Sequence, residues 1–447
     1  MREKIVLIQL PSPWLINDRD LPLMGVLYLA ASLRFEGIEV QVADLVGVPE
    51  DKWLIPDADV YGVSLVSAQA PIAKRVIQHI RARTRRKVEI IVGGPHVSAL
   101  PAWSLKHLDA DYAFVGESDE AIVEFMYNGP SEKVDGLHGY ASKFPRVPAG
   151  KIVCPARDLV DMWSFHNVGI NRYVTDGVRY EGYLQTGRGC PFDCAFCAQA
   201  AITGRAVRYL SDEHLHTELD VLLKDYECDL IYIEDDTFNI NKKRVHHLCE
   251  NVFPQHKFKW HCLCRADTMD QALADVLASA GCQNVTFGFE TGSDKMLKRM
   301  DKCETMEEAW SAIRCVKNAG MGIRGQMIVG FPGEDVATIA ETKRFIETAP
   351  VDKWGFHAFV PLPGTQVWRN PTKFGFPEID VDSEDFAAGF HTIGKPGEWA
   401  KVWGDAARVR AWLTELRELA DMRNIYEYGV TEAEARKEIA QCKLTSS

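Results

Sequence analysis

The stretch "GRGCPFDCAFCAQA", residues 187–200, places Cys190, Cys194 and Cys197 within eight residues, directly after the apolar run "GYLQTGR" at 182–188. Clustered thiolates bind zinc or iron–sulfur clusters. A structural zinc site uses two pairs of Cys or His ligands, whereas here the spacing is C-x3-C-x2-C without a second compact pair. A four-iron cluster held by three thiolates keeps one iron open, so the motif predicts a catalytic cluster at a strand end.

Apolar strands alternate with helices on the carboxyl side of this motif. Six such units over residues 181–370 predict a partial (β/α)6 barrel with its chemistry at the carboxyl ends of the strands. The predicted strands are 182–188, 230–235, 259–265, 284–290, 322–330 and 353–360. The predicted helices lie near 212–226, 241–252, 269–281, 304–319 and 335–349.

The first 130 residues also alternate strands and helices, and their strands are apolar almost throughout. This pattern is typical of a parallel sheet covered on both faces. We expect an α/β, doubly wound, Rossmann-like or flavodoxin-like domain at 1–130, whose ligand lies beyond the carboxyl ends of the strands. Residues 131–180, rich in Gly and Pro, are expected to form a linker, and residues 371–447 a small, mostly helical segment with a helix near 399–427.

The composition of the 447 residues is that of a soluble globular protein, with 46% hydrophobic and 26% charged residues. The net charge of −12 argues against nucleic acid or an anionic membrane as the main partner. No stretch reaches 18 apolar residues, so neither a membrane span nor a signal peptide is predicted. Twelve cysteines, three of them clustered, favour metal chemistry in a reducing, cytoplasmic compartment.

The cysteine motif resembles the cluster motif of the radical S-adenosylmethionine (SAM) enzymes. The resemblance continues through "IYIEDDTFNIN" (231–241), "FGFETGSDKMLKRMDK" (287–302), "GQMIVGFPGED" (325–335) and "FVPLPGTQVW" (359–368). It implies that the open iron of a [4Fe-4S] cluster chelates SAM. An electron from the cluster, supplied by an external donor such as flavodoxin or ferredoxin, would then give a 5′-deoxyadenosyl radical.

Polar groups at the strand ends suit this cofactor. Arg265 can pair with the SAM carboxylate and Glu290 can accept from the ribose hydroxyls, although these two could instead pair with each other in a buried network. The acidic run at 234–236 can meet the SAM ammonium or cap the helix that follows. The complete set of predicted SAM contacts is Phe196, Glu234, Asp235, Asp236, Arg265, Glu290, Gln326, Gly330 and Pro361.

The amino-terminal domain resembles the cobalamin-binding domain of cobalamin-dependent radical SAM enzymes, in "GVSLVS" (62–67), "GGPHVSALP" (93–101) and "FVGESDEAI" (114–122). The D-x-H-x-x-G motif, whose His ligates cobalt, is missing, because "LVGVP" follows Asp44. The resemblance therefore implies cobalamin without a His ligand, or a degenerate domain that holds none. The predicted cobalamin contacts are Pro11, Ser64, Val66, Ser67, Gln69, Gly93, Gly94, His96, Gly116 and Glu117.

The sequence therefore predicts a cobalamin-dependent radical SAM methyltransferase that methylates an unactivated carbon of a small-molecule, natural-product or peptide-derived substrate. Oxidative cyclisation or ring rearrangement with the same cofactors is the alternative, and a zinc-stabilised binding protein without catalysis is a third. The sequence assigns no catalytic residue and no oligomeric state. Aromatic residues could line the substrate pocket, and the candidates are Trp354, Phe356, Phe390 and Trp399, of which at least half are expected to lie in the core.

Overall fold

The computed structural model describes residues 2–12, 18–19, 22–84, 87–140, 144–165, 180–375 and 406–427. Within these residues, no helix is both long enough and apolar enough to span a membrane.

The amino-terminal domain is built on a five-stranded parallel sheet, as predicted. Its strands lie in the order β2-β1-β3-β4-β5, which is the flavodoxin-like order of doubly wound sheets. Ligands of such sheets bind where the strand order reverses, here at the carboxyl ends of β1 and β3. The strands are β1 (Lys4–Gln9), β2 (Glu39–Asp44), β3 (Val60–Ser64), β4 (Glu89–Gly93) and β5 (Tyr112–Ala113).

Helices cover both faces of this sheet because successive side chains of a strand point in opposite directions. Ile5 and Leu7 of β1 pack on one side, and Val6 and Ile8 pack on the other. The first and last helices lie on the Ile5 side, and the second helix lies on the Val6 side. The helices of this domain are α1 (Met24–Phe35), α2 (Ala70–Arg83), α3 (Pro95–Ala99), α4 (Pro101–Leu108) and α5 (Ala121–Asn128).

The second domain is an open barrel of six parallel strands in the order β13-β12-β11-β10-β9-β6. The single strand predicted at 182–188 is two strands, and the second of them pairs antiparallel with β8 beside the cysteine loop. The strands are β6 (Glu181–Leu184), β7 (Gly187–Arg188), β8 (Arg208–Tyr209), β9 (Leu230–Ile233), β10 (Lys259–Cys264), β11 (Cys282–Glu290), β12 (Gly322–Val329) and β13 (Lys353–Ala358).

Helices pack on the outside of the barrel, and side-chain caps fix where several of them begin. Ser211, Asp270, Thr305 and Asp335 each accept a hydrogen bond from a backbone N–H of the first helical turn. The helices are α6 (Gln199–Ile202), α7 (Asp212–Asp220), α8 (Lys242–His247), α9 (Gln271–Ser279), α10 (Asp294–Arg299), α11 (Met306–Asn318), α12 (Val336–Thr348), α13 (Gln366–Arg369) and α14 (Ala406–Glu427).

The two faces of the barrel strands differ in burial. On β12, Ile323 and Met327 are fully buried in the core shared with the helices, whereas Arg324, Gln326 and Ile328 remain partly accessible on the inner face. The interior of the barrel is therefore an open, largely polar space, and the hydrophobic core lies between the strands and the helices.

The carboxyl-terminal helix packs against β13 and α12 through Leu413 and Leu416, which are buried. Of the aromatic residues proposed for a substrate pocket, Phe390 and Trp399 lie outside the described residues. Trp354 is one of those that belong to the core, because its ring lies 5.5 Å from that of Phe345 under α12. Phe356 belongs to the same core, since its position on β13 has the same parity as Trp354.

A buried ion pair ties the predicted linker to the barrel. The Nη2 of Arg157 lies 2.5 Å from the Oε2 of Glu218 on α7 and donates to the Tyr183 carbonyl at 2.8 Å. The Tyr28 hydroxyl of α1 also donates to Glu218, at 3.3 Å. Burial opposes ionisation of Glu218, but the charges of Arg157 and His214 outweigh it, so the pKa of Glu218 is lowered. This carboxylate joins parts of both domains.

Replacing Glu218 by Gln is expected to lower the free energy of unfolding by about 3–5 kcal/mol at pH 7, because it leaves the Arg157 guanidinium buried without its counter-charge. Urea denaturation followed by circular dichroism measures this. The matched control is Glu213→Gln, an exposed glutamate of the same helix. If Glu218→Gln lowers the free energy of unfolding no more than the control does, the buried ion pair between Glu218 and Arg157 does not stabilise the fold.

Candidate active site

The three cysteines of the motif lie on the loop between β7 and α6. Backbone hydrogen bonds from two distant segments fix this loop: the Ala195 N–H donates to the Met300 carbonyl at 2.8 Å, and the Val367 N–H donates to the Ala195 carbonyl at 3.2 Å. Within the loop, the Cys197 N–H donates to the Cys194 carbonyl at 3.0 Å. The barrel therefore presents the motif at the carboxyl end of its strands, as the sequence predicts.

Burial and neighbouring charges have opposite effects on the ionisation of these thiols. Burial raises the pKa of Cys197 to about 12 and raises the pKa of Cys194, so the bare thiolates are disfavoured. The charges of Lys302 and Arg265 oppose this effect at Cys194. A bound iron cluster would stabilise the thiolates, because metal ligation deprotonates a thiol outright. The donor set therefore fits a cluster with three cysteine ligands.

A network of buried charges lies beside Cys194. The Arg265 guanidinium lies 3.1 Å from Glu304 and 3.0 Å from Asp267. Lys302 bridges Glu304 and Glu290, with N···O distances of 3.7 Å to each. The sequence left two roles open for Arg265 and Glu290, which were SAM binding and a buried ionic network. The structure contains the buried network, in which Lys302 and Glu304 lie between the two residues. Neither Lys302 nor Glu304 was predicted.

Glu290 carries a second sign of a functional position. Its φ is +67°, in the left-handed region that a non-glycine residue rarely adopts, and it follows a register irregularity in β11. Burial raises the pKa of this carboxyl, although Lys302 opposes the effect. A contact of Glu290 with the SAM ribose stays a prediction.

Two of the three acidic residues at the end of β9 hold the cysteine loop. Asp235 accepts from the backbone N–H of Thr186 at 2.6 Å and of Gly187 at 3.1 Å. Asp236 accepts from the backbone N–H of Gly189 at 3.0 Å, directly before Cys190. These carboxylates position the segment that leads into the cysteine motif. The sequence analysis predicted a SAM contact or a helix cap for them, and it did not predict this positioning role.

The third acidic residue, Glu234, faces the cavity between the two domains. Burial raises the pKa of Glu234 to about 8, and the neighbouring charges of Glu181 and Asp235 add to the effect, although Arg157 opposes it. At pH 7 the side chain is therefore mostly a neutral carboxylic acid that can donate a hydrogen bond into the cavity.

This raised pKa predicts a pH-dependent stability. Between the unfolded pKa of 4.5 and the folded value of about 8, the folded protein keeps a proton that the unfolded chain loses. Stability should then fall as the pH rises, by up to about 1.4 kcal/mol per pH unit. The free energy of unfolding is measured by urea denaturation at pH 6, 7 and 8. Glu234→Gln should remove this contribution to its decrease with pH, whereas the control Glu347→Gln, at an exposed position, should leave the decrease unchanged. Equal slopes in both variants would refute the shift.

The other predicted SAM contacts lie near the same end of the barrel. Phe196 packs beside the cluster of Met296 and Phe331. Gln326 lies on the inner face, 3.0 Å from His357. Gly330 has a φ of +89° and donates its N–H to Glu334 at 2.5 Å. Pro361 is buried just after β13. Whether these groups bind SAM stays a prediction.

A cavity opens at the carboxyl edge of the amino-terminal sheet, with about 1060 Å³ of empty space that is partly continuous with solvent. The barrel closes its far side. Residues of β3, β4 and the loops after β4 and β5 line it, and five of the predicted cobalamin contacts are among them: Ser64, Gly93, Gly94, Gly116 and Glu117. The barrel contributes Gln185, Arg188, Thr203 and Glu234.

Glycines in the wall of this cavity pack closely against neighbouring protein atoms and leave no room for a side chain. A Cβ on Gly62 would come within 2.7 Å of Leu7, and a Cβ on Gly94 within 2.8 Å of Ser64 and 2.9 Å of the Leu65 nitrogen. Gly94 has a φ of +91°, which favours glycine. The space and its glycine walls fit a large planar cofactor such as the predicted cobalamin.

The other five predicted cobalamin contacts lie outside this cavity wall. The Gln69 carboxamide accepts from the Val66 N–H at 3.0 Å and donates towards the Pro11 carbonyl at 3.4 Å, which fixes the loop after β3. The Nδ1 of His96 lies 3.0 Å from the Ser67 hydroxyl. Burial lowers the pKa of His96 to about 4, so the ring is neutral at pH 7. These residues support the loop, and only Val66 among them is exposed.

Arg188 joins this cavity to the cysteine loop, because it lines the cavity and lies two residues before Cys190. Its guanidinium is 3.3 Å from Asp119 of the amino-terminal domain and lies over the Tyr28 ring, with 4.8 Å between Cζ and the ring centroid. The cavity and the motif therefore share one wall.

The sequence favours buried packing roles for the cysteines outside the motif, which holds for Cys249, Cys262, Cys264 and Cys282 but is wrong for Cys303, which is exposed. Cys262 and Cys264 of "HCLC" are buried under the barrel helices with their sulfurs 3.6 Å apart. Burial raises the pKa of Cys262, so this thiol stays protonated.

Comparisons with known proteins agree with this architecture. The Radical SAM superfamily matches residues 184–346, and the B12 binding domain matches residues 18–126. An uncharacterized methyltransferase, PH0819, of Pyrococcus horikoshii is 28% identical over 363 residues, which are 78% of this chain and 78% of the relative. Cytidylyl-2-hydroxyethylphosphonate methyltransferase of Streptomyces wedmorensis is 25% identical over 477 residues, covering 89% and 87%.

Two solved structures share the fold. The radical SAM methyltransferase TsrM from Kitasatospora setae, with cobalamin and a [4Fe-4S] cluster bound, superposes with a TM-score of 0.62 at 18% identity, over 82% of this chain and 74% of TsrM. The cobalamin-dependent radical enzyme OxsB gives 0.65 at 18% identity, over 92% of this chain and 56% of OxsB. With both domains matched and the two sites facing each other, this chain belongs to the cobalamin-dependent radical SAM enzyme family.

Proposed function

We propose that this enzyme methylates an unactivated carbon of a small-molecule, natural-product or peptide-derived substrate. The observation that carries the proposal is the shared wall: Arg188 lines the cavity of the cobalamin-binding domain and lies two residues before Cys190. A substrate between the two domains can therefore reach both sites. The named relatives that are methyltransferases support the same conclusion.

Three cofactors belong to this function: a [4Fe-4S] cluster, SAM and cobalamin. When bound, they supply one-electron cleavage of SAM and a methyl group that can be transferred. Cys190, Cys194 and Cys197 would hold the cluster and leave one iron open. Ser64, Gly93, Gly94 and Gly116 would line the corrinoid site.

Side chains of the protein position the cysteine loop, favour the thiolates and shield the cavity from water. Asp235 and Asp236 hold the loop that enters the cysteine motif. Lys302 places a positive charge beside Cys194, which favours the thiolate. Glu234 holds a proton at the edge of the cavity at pH 7 and can hydrogen-bond to the substrate there. Contacts across the cavity between Arg188 and Asp119 help to close it against water.

The second candidate is an oxidative cyclisation or ring rearrangement with the same cofactors. An anaerobic magnesium-protoporphyrin IX monomethyl ester cyclase of Rubrivivax gelatinosus is 23% identical over 325 residues, covering 70% of this chain and 58% of the relative. An external one-electron donor such as flavodoxin or ferredoxin belongs to either proposal.

Anaerobic turnover with SAM labelled by deuterium in its methyl group tests the proposal. We expect 5′-deoxyadenosine together with a product heavier by the labelled methyl group. The product is identified by mass spectrometry of candidate substrates or of extracts from the source cells. Deoxyadenosine with an altered but unmethylated product would overturn methyl transfer in favour of cyclisation or rearrangement.

A further inference from the structure

A cysteine of the segment between the two domains meets two polar side chains of α7 on the outer side of the barrel. The ligand atoms of Cys154, His214 and Glu218 all lie within 4.8 Å of one another. His214 and Glu218 are four residues apart on α7, so they share one face of this helix. None of the three belongs to the cysteine motif or to the predicted SAM and cobalamin contacts.

The donor set is one that zinc prefers. A cysteine sulfur, an imidazole nitrogen and a carboxylate oxygen are the three kinds of side-chain atom that bind Zn²⁺ in proteins. In a tetrahedral site such atoms lie about 3.3–3.8 Å apart, because each is about 2.0–2.3 Å from the metal. The Nε2 of His214 lies 2.8 Å from the Oε1 of Glu218. A metal would replace this hydrogen bond and move the two atoms apart by less than about 1 Å, which small side-chain rotations allow.

The backbone that carries these three side chains is held in place. The Ser211 side chain caps the start of α7. Ile152 and Ala156 are buried on either side of Cys154. The Ala156 N–H also donates to the Leu27 carbonyl of α1 at 3.0 Å. The ligand atoms are therefore brought together by the fold, and a metal would not have to order a loop in order to bind.

The two carboxylate oxygens of Glu218 have different neighbours. Arg157 lies 2.5 Å from Oε2, whereas His214 lies 2.8 Å from Oε1 and the Tyr28 hydroxyl donates to Oε1 at 3.3 Å. Oε1 is thus the oxygen that faces the metal position, and Arg157 orients the carboxylate through Oε2. Hydrogen bonds of this kind from outside the ligand set are usual around metal ligands. The Arg157 charge opposes a bound cation, and the thiolate that forms on metal binding offsets this charge.

The Cys154 thiol is neutral until a metal binds. Burial, and then the charge of Glu218, raises the pKa of Cys154 to about 11, although Arg157 opposes the effect. Zinc ligation deprotonates a cysteine and releases the thiol proton to solvent. Zinc affinity should therefore rise with pH.

We propose that Cys154, His214 and Glu218 bind one zinc ion, which ties the segment between the domains to α7. Three protein ligands leave the fourth position of the metal to water. The assignment is independent of the proposed function, because neither the cysteine motif nor the cavity between the domains takes part in it.

Equilibrium dialysis against zinc, followed by metal analysis, tests the assignment. The protein is first loaded anaerobically with cluster, cobalamin and SAM, so that the thiols of the motif are occupied. We expect one zinc per chain in addition to the cluster iron. Cys154→Ser and His214→Gln should each weaken zinc binding at least ~100-fold, because each removes a ligand.

His246→Gln is the matched control for these variants. His246 forms the same four-residue pair with Glu250, with an N···O distance of 3.3 Å, and no third ligand lies beside them among the described residues. This variant should change zinc affinity less than about twofold, because a pair of ligands binds zinc weakly. Zinc binding that is equal in the unaltered protein, Cys154→Ser and His214→Gln would overturn the assignment, as would the absence of zinc beyond the motif.

X-ray absorption at the zinc edge of the unaltered, cofactor-loaded protein needs no variant. We expect one sulfur neighbour at about 2.3 Å and nitrogen or oxygen neighbours at about 2.0–2.2 Å. Three sulfur neighbours would place the zinc in the cysteine motif, and no sulfur neighbour would place it on surface groups. Either result would overturn the assignment.

Discussion

Cys194→Ala is expected to abolish SAM cleavage. Cys194 is the most buried of the three motif cysteines, with 7% of its surface exposed. Apart from the other two ligands, Cys190 and Cys197, the loop has no thiol that could replace it. Two thiolates hold a four-iron cluster poorly, so iron content and 5′-deoxyadenosine formation should fall together, the latter by at least ~1000-fold. Iron analysis and chromatography of anaerobic reaction mixtures measure both.

The control for this variant is Cys315→Ala on α11, which removes a partly buried thiol remote from the motif. It should keep the cluster and the rate of the unaltered enzyme. A Cys194→Ala protein with a full complement of iron that still cleaves SAM would show that this thiol is not a ligand.

Gly94→Leu is expected to prevent cobalamin binding and to uncouple the two halves of the reaction. The new side chain would meet Ser64 and the backbone of Leu65 at the cavity wall, and it would occupy a φ of +91°. A loss of about 3 kcal/mol in binding corresponds to a ~100-fold weaker affinity. Labelled methyl transfer should disappear, whereas SAM cleavage should continue because the cysteine motif is unchanged.

Gly37→Leu is the matched control for backbone strain. Gly37 has a φ of +78°, but a Cβ there would meet nothing within 4 Å. This variant should bind cobalamin like the unaltered protein. If Gly94→Leu retained cobalamin with the same affinity, the cavity beside Gly94 could not be the corrinoid site.

Local patterns in the sequence predicted much of the fold. Apolar strands such as β3 and β12 and capped helices such as α11 carry their signals within a few residues, and the structure has them within a few positions of the prediction. One exception is the segment at 182–188, which is two strands, and β8 and α10 were not predicted. There the chain bends so that Gly187 and Arg188 can pair with β8, a partner 20 residues away that no local pattern reveals.

The candidate site was predicted in part. The cysteine motif is compact in sequence, so its ligands could be named. Asp235 and Asp236 were noticed as strand-end acids, but their hydrogen bonds to Thr186 and Gly189 depend on strand pairing. Lys302 could not be singled out at all. It is one of many charged residues, and only the tertiary fold places it beside Glu290 and Glu304.

The lining of the cavity could also be predicted only in part from the sequence. Gly93 and Gly94 were predicted from the resemblance of "GGPHVSALP" to a cobalamin-binding domain, and they line the cavity. The barrel residues that close it, among them Arg188 and Glu234, belong to another domain, and contact between domains leaves no mark in either sequence segment.

The most direct test of the account is the metal and cofactor content of one purified chain after anaerobic reconstitution. We expect about four irons and four sulfides per chain, bound by the three thiolates of the motif. We also expect one cobalamin, detected by its cobalt and its visible spectrum, whose binding Gly94→Leu prevents. Zinc without iron or sulfide, and no bound cobalamin, would contradict a cobalamin-dependent radical SAM enzyme and would leave a zinc-stabilised binding protein in its place.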